Sequence, residues 1–298
     1  MIINEIRKDF PVFSKQPHLV YLDSAASALK VRHAIEGVDS YYTSSGVNVH
    51  RGAYSLAYEA TKLFEDARQT VADFIHADVD EIVFTRGATS ALNMVAHAYR
   101  DILKPGDEII TSELEHHSSI LPWMMIAKKT KAKLVYIPLT KEGRITVEGF
   151  QSVLSDKTKI VAINHASNVM GYVSPIEEIT RLAHQKDAIV VLDAAQSAPH
   201  MALDVQKLDV DYLAFSGHKM FGPSGVGVLY GKKHLLDRLE PFEFGGEMVD
   251  EVDLFDATWK EAPLRLEAGT PVISGAIGLA QAIHYIQSIG FDNIHEHT

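Results

Sequence analysis

Tyr212-Leu213-Ala214-Phe215-Ser216-Gly217-His218-Lys219 is followed, after two residues, by Gly222-Pro223-Ser224-Gly225-Val226-Gly227. The first four residues make an apolar run of strand length with no polar alternation, the pattern of a strand buried on both faces. The run delivers a lysine into a glycine-rich turn. Lysine in a loop is ordinarily a solvated surface residue. A lysine amine attacks an aldehyde only when unprotonated, and partial desolvation favours that state, so Lys219 is a candidate Schiff-base lysine. The Ser216 hydroxyl and the His218 ring beside it are available to a phosphate.

Working outward, apolar runs of strand length alternate with longer helical patterns, which predicts an α/β fold with a mostly parallel sheet flanked by helices. Strands are expected at Val20–Asp23, Glu81–Thr85, Glu108–Thr111, Lys133–Pro138, Lys159–Asn164, Ala188–Asp193, Tyr212–Ser216 and Gly225–Tyr230. Helices are expected at Ser55–His76, Thr89–Leu103, Ser118–Thr130, Ser174–Gln185, His234–Leu239 and Ser274–Ile289. Ser174, with Pro175 after it and Glu177 three residues on, reads as a capping box. No repeat or Gly/Ser linker marks a domain boundary.

Three further segments gain meaning from the lysine. Val190-Val191-Leu192-Asp193 ends a buried strand in an acid, at the carboxyl edge where open α/β sheets bind ligands. An aspartate there is commonly a cap or turn former. Beside a Schiff-base lysine it can instead keep a pyridine nitrogen protonated, which makes the ring an electron sink. Phe84-Thr85-Arg86-Gly87-Ala88-Thr89-Ser90 reads as a strand, a small-residue turn and a helix start, whose amides and hydroxyls suit a phosphate. Thr89 alone would read as an N-cap. Glu113-Leu114-Glu115-His116-His117-Ser118 follows another strand. Adjacent histidines rarely face one metal ion, so a ring stacked on a cofactor and able to move protons suits His116 better.

Composition sets the bounds. With 298 residues, 46% hydrophobic and 22% charged, the chain can bury a sizeable core. A formal net charge of -11 disfavours nucleic acid and anionic membrane surfaces as partners and leaves small metabolites. No run reaches the roughly 18 apolar residues of a spanning helix, and Met1–Pro11 is too polar for a signal peptide, so a cytoplasmic location is expected. There is no cysteine, which excludes disulfides and a cysteine nucleophile within these residues.

From about residue 8 onward the chain resembles class V aminotransferases, and within them the group II (SUF-type) cysteine desulfurases. The resemblance runs through Tyr21-Leu22-Asp23-Ser24-Ala25-Ala26-Ser27, Asn48-Val49-His50-Arg51-Gly52, Glu115-His116-His117, Ser167-Asn168-Val169, Asp193-Ala194-Ala195-Gln196, Ser216-Gly217-His218-Lys219 and Glu267-Ala268-Gly269-Thr270-Pro271. It implies a pyridoxal-phosphate (PLP) enzyme of fold type I, with Lys219 bound to the cofactor, Asp193 on the pyridine nitrogen, Gln196 at the ring oxygen and His116 stacked on the ring. Thr89, Ser216, His218 and the Ala88 amide would hold the phosphate. Asn168 would face cofactor and substrate, Ala25 the substrate. Thr270 would reach the phosphate of a neighbouring subunit, with His50 and Arg51 near the shared site, so a homodimer is implied.

The resemblance further implies L-cysteine or a related amino acid as substrate and a sulfur-acceptor protein as partner. Ala88 replaces a usual threonine, Ala194 a common glycine, and Ser118-Ser119 a frequent Ala-Asn. Residues 1–298 are expected to form the large PLP-binding domain with an N-terminal arm. The small C-terminal domain, which carries the family's persulfide cysteine and a substrate-binding arginine, is expected to be absent. Two other functions fit a cysteine-free chain: a thiol-independent PLP reaction such as selenocysteine lyase, β-lyase or aminotransferase chemistry, and a non-catalytic partner in sulfur-transfer assembly.

Overall fold

The computed structural model describes residues 3–297. Seven strands form one sheet: β1 (Ile82–Thr85), β2 (Glu108–Thr111), β3 (Lys133–Tyr136), β4 (Thr158–Asn164), β5 (Ile189–Asp193), β6 (Tyr212–Ser216) and β7 (Gly227–Gly231). Their order is β1-β7-β6-β5-β4-β2-β3, parallel throughout except for β7, which runs antiparallel to both its neighbours. This is the α/β sheet that the alternation predicts.

Successive strand residues point to opposite faces, so the apolar runs supply two cores at once. Phe84, Val161, Ile163, Leu192, Leu213 and Phe215 enter the core under the Ser55–Ile75, Ile176–His184 and Ile273–Ile289 helices. Val83, Ile160, Ala162, Val191, Tyr212 and Ala214 enter the core under the Ala88–Ala98 and His117–Thr130 helices. A strand that must satisfy both cores has no position for a solvated side chain, which is why these segments read as continuous apolar runs.

Several boundaries differ from the sequence reading. Val20–Asp23 is not a strand: Val20 and Leu22 lie exposed, and Asp23 O accepts the amides of Ala26 and Ser27 in a local turn. Ser174 does not cap the following helix. Its amide donates to His165 O, Pro175 holds the cap position, and no side chain caps the first turn. Several elements went unanticipated, among them a long helix and a two-stranded hairpin. The Arg32–Ser44 helix buries only Ala34 and Tyr41, packs on the Ile273–Ile289 helix and carries little apolar signal. The hairpin of β8 (Val249–Val252) and β9 (Ala257–Trp259) projects Leu254 and Phe255 into solvent.

One buried ion pair ties the helical layer to the sheet. Arg68, on the Ser55–Ile75 helix, is 2% exposed. Its guanidinium grips Glu267 in a fork, with Nη1 to Oε1 at 2.6 Å and Nη2 to Oε2 at 2.9 Å, and Nη1 also donates to Ile82 O at 2.8 Å. Glu267 Oε1 accepts the Phe84 amide at 2.6 Å. Removing one partner strands the other charge in the interior, so Arg68→Ala is expected to lower unfolding free energy by about 3–5 kcal/mol. Urea denaturation measures this, and a loss below about 1 kcal/mol, the range of a surface pair, would contradict the pair's structural role.

Candidate active site

The carboxyl ends of β4, β5 and β6, the loop after β2 and the helix start after β1 converge on one edge of the sheet. Between them lies a cavity of about 420 Å³ lined by Asp23, Ala25, Ala26, Ala88, Thr89, His116, Ser118, Asn164, Ala166, Asn168, Asp193, Ala195, Gln196, Ser216, His218 and Lys219. Ten candidates from separate sequence segments thus share one wall: Ala25, Ala88, Thr89, His116, Asn168, Asp193, Gln196, Ser216, His218 and Lys219.

Asp193 closes β5, paired in register with Asn164 of β4. It is 4% exposed, and its Oδ1 accepts the Ala195 amide at 2.9 Å. Burial pushes its pKa up, opposed by that amide and by the positive charges of Lys219 and His116. Lys219 ends the short 3-10 turn that leaves β6. Burial pushes its amine below the usual lysine range, while Asp193 pulls the other way. Desolvation therefore drives both members toward neutrality, and the lysine gains the unprotonated amine that an aldehyde requires.

Gly87 holds the turn after β1 at φ +151°, a conformation open to glycine. Close approach by β7 completes it: a Cβ on Gly227 would lie 2.4 Å from Gly87 Cα. The Ala88 amide, expected to face a phosphate directly, donates instead to Ser216 Oγ at 2.8 Å. Ser216 Oγ accepts that hydrogen bond and keeps its own hydroxyl proton to donate. Thr89 is exposed on the first helical turn and lines the cavity. His218 Nδ1 lies 3.3 Å from Ser27 Oγ, and burial, then the charges of Lys219 and Lys30, lower its pKa.

His116 caps the His117–Thr130 helix. Its Nδ1 accepts the Ser118 amide at 3.2 Å, which places the proton of a neutral ring on Nε2. The exposed ring leaves a face free for stacking. The Gln196 amide donates to Ala25 O at 2.8 Å, fastening the loop that carries Ala25 to the site. Asn168 is exposed at the mouth.

His50, Arg51 and Thr270 do not line this cavity. They gather in a second cluster: His50 Nε2 meets Glu65 Oε1 at 2.9 Å, Glu65 meets Arg68, and Arg68 holds Glu267. Arg51 Nε pairs with Glu247 at 2.5 Å, and the Gly269 amide next to Thr270 donates to Gly246 O at 2.8 Å. Sequence reading missed Glu115, Asn164 and Arg68. Their burial was the signal, and only distant chain segments create it.

The residues fit pyridoxal phosphate. A buried aspartate with no salt-bridge partner among the described residues suits a protonated pyridine, a half-buried lysine of lowered pKa suits the aldehyde, and a helix start with hydroxyls on the cavity suits the phosphate.

Comparison with known proteins agrees with the geometry. The model of the aminotransferase class-V family matches residues 20–298. A probable cysteine desulfurase of Halalkalibacterium halodurans is 52% identical over all of this chain and 74% of its own length. The apo structure of a cysteine desulfurase from Thermococcus onnurineus NA1 superposes with a TM-score of 0.94 at 42% identity, covering 98% of this chain and 72% of that one. A C-DES mutant with glycine covalently linked to the PLP cofactor superposes at 0.82 with 26% identity, covering 95% and 74%. The chain belongs to the aminotransferase class-V family, and its cofactor is pyridoxal phosphate.

Proposed function

We propose that the chain is the large, cofactor-binding domain of a group II (SUF-type) cysteine desulfurase, which takes sulfur from L-cysteine and leaves L-alanine. The observation that carries this reading is the single cavity in which Lys219, Asp193 and His116 meet, in a chain 52% identical along its whole length to a probable cysteine desulfurase.

When bound, the cofactor supplies an electron sink for the bonds at the substrate Cα. The chain's own residues do the rest. Lys219 would hold the cofactor at its aldehyde, and its amine, of lowered pKa, is placed to accept the substrate Cα proton. The Asp193 carboxylate balances a protonated pyridine. His116, whose Nδ1 accepts the Ser118 amide, would stack on the ring and move protons through Nε2. Ser216, Thr89 and His218 would hold the phosphate, and Gln196 the ring oxygen. Ala25 and Asn168 border the substrate.

The sulfur step needs a thiol: R-SH and L-cysteine give R-S-SH and L-alanine, with atoms and electrons balanced. The 298 residues contain no cysteine, so the acceptor thiol comes from outside them. His50, Arg51 and Thr270, grouped by the Arg68 network away from their own cavity, are assigned to the site of a neighbouring copy in a homodimer. The persulfide serves a sulfur-acceptor protein in iron-sulfur assembly within the cytoplasm. No helix among the described residues is long and apolar enough to cross a membrane.

Purified chain with PLP and L-cysteine, without added thiol, tests the assignment. The expected result is a visible absorbance change on adding L-cysteine with no sustained release of sulfide or alanine, and turnover restored by an external thiol. Steady turnover without thiol would favour a thiol-independent lyase. Failure to bind PLP would favour a non-catalytic partner.

A further inference from the structure

Glu115, the residue before His116, lies inside the protein and is 9% exposed. Its Oε1 accepts two neutral donors, Ser112 Oγ at 2.7 Å and Asn164 Nδ2 at 2.9 Å. Its Oε2 is buried with no hydrogen-bond partner, and so is Asn164 Oδ1. No cation within ion-pair distance of Glu115 occurs among the described residues. Asp193 is close enough for its charge to act on Glu115. A buried carboxylate in such surroundings lacks compensation on one whole oxygen, while a protonated acid has only a hydroxyl to accommodate there.

The neighbours make that carboxyl useful. Asn164 forms part of the cavity wall and sits in register beside Asp193. Ser112 Oγ also accepts the Leu114 amide at 3.1 Å, so the same group folds the loop that presents His116.

We propose that Glu115 is a positioning residue that works as a neutral acid: it anchors Asn164 and the His116 loop, and it leaves Asp193 as the anion facing the cofactor ring nitrogen. The groups that face it are Ser112 from its own loop, Asn164 of β4, Asp193 of β5 and Ser119 of the following helix. Burial first, and the Asp193 charge among the rest, raise its pKa to about 7, against the hydrogen bonds from Ser112 and Asn164. A second anion in this place would compete with Asp193 for the positive charges of the site. This inference rests on the cofactor site described above but not on the identity of the amino-acid substrate.

Glutamine copies the neutral acid in shape and charge, with a carbonyl for Ser112 and Asn164 and an NH2 group in place of the hydroxyl. The E115Q protein is therefore expected to match the wild type within about twofold in PLP affinity and to keep its visible spectrum at pH 6. E115A leaves the Asn164 amide with Leu114 O alone, at 3.3 Å, and should bind PLP about tenfold or more weakly, the cost of one unsatisfied buried donor. Infrared spectra of the cofactor-free protein at pH 6 should contain a protonated-carboxyl C=O band that E115Q lacks. These readouts need no turnover, so they can fail separately from the desulfurase assignment. Absence of that band, or an E115Q protein with weakened PLP binding and a shifted visible band, would overturn the proposal. Should E115A fail to fold, the glutamine variant and the infrared band decide alone.

Discussion

Replacing Lys219 with alanine is expected to leave a folded protein that shows none of the visible absorbance of lysine-bound pyridoxal phosphate. Lys219 is half-buried at the end of a short turn and makes no salt bridge among the described residues, so its loss opens space and removes one of the positive charges acting on Asp193 without breaking an ion pair. It is also the lysine in the cavity wall, which leaves no second amine there to bond the aldehyde. Amino-acid turnover by the thiol-supplemented protein should fall by at least about 10²–10⁴-fold, the span a positioned acid-base group supplies. Absorbance spectroscopy and a turnover assay check both statements. An unchanged spectrum would refute the assignment of Lys219.

The second large effect is expected at Asp193. Asparagine keeps the shape and can still accept the Ala195 amide, so the fold should persist. It removes the negative charge from a site that is 4% exposed, where little solvent screens a partner. Losing a charge-assisted hydrogen bond weakens PLP affinity by about tenfold to a hundredfold. Turnover should fall further, on the order of 10²–10³-fold, because the electron sink depends on a pyridine nitrogen held protonated. Equilibrium titration with PLP and steady-state rates separate the two losses. Wild-type values for D193N would remove Asp193 from the site.

The central site was legible because its chemistry sits at strand ends. Asp193 and Lys219 each follow an apolar run that only a doubly covered strand explains, and such strands present their carboxyl ends to ligands. Gly87 marked the helix start that supports Ser216. The sequence was silent where burial or pairing is set by remote residues. Glu115 looks like any loop acid until Asn164, 49 residues away, donates to it. Val20–Asp23 has the composition of a strand, but no strand pairs with it, and its Asp23 carbonyl is taken by the turn that follows. The Arg32–Ser44 helix carries little apolar signal of its own, because it buries so few side chains. Thr89 and Ala88 were placed correctly at the helix start, whereas the direction of the Ala88 amide depends on a hydroxyl 128 residues later.

The Arg68 fork has a consequence for how the chain is made. Arg68 and Glu267 are 199 residues apart, and at roughly 5–20 residues per second a ribosome needs about 10–40 s to travel between them. Throughout that interval the helix bearing Arg68 exists without the carboxylate that justifies its burial. Glu65, one turn earlier and 3.0 Å from Arg68 Nε, is synthesised first and can hold the guanidinium at the surface. Closure of this layer onto the sheet is therefore tied to the emergence of Glu267, late in the synthesis of the chain.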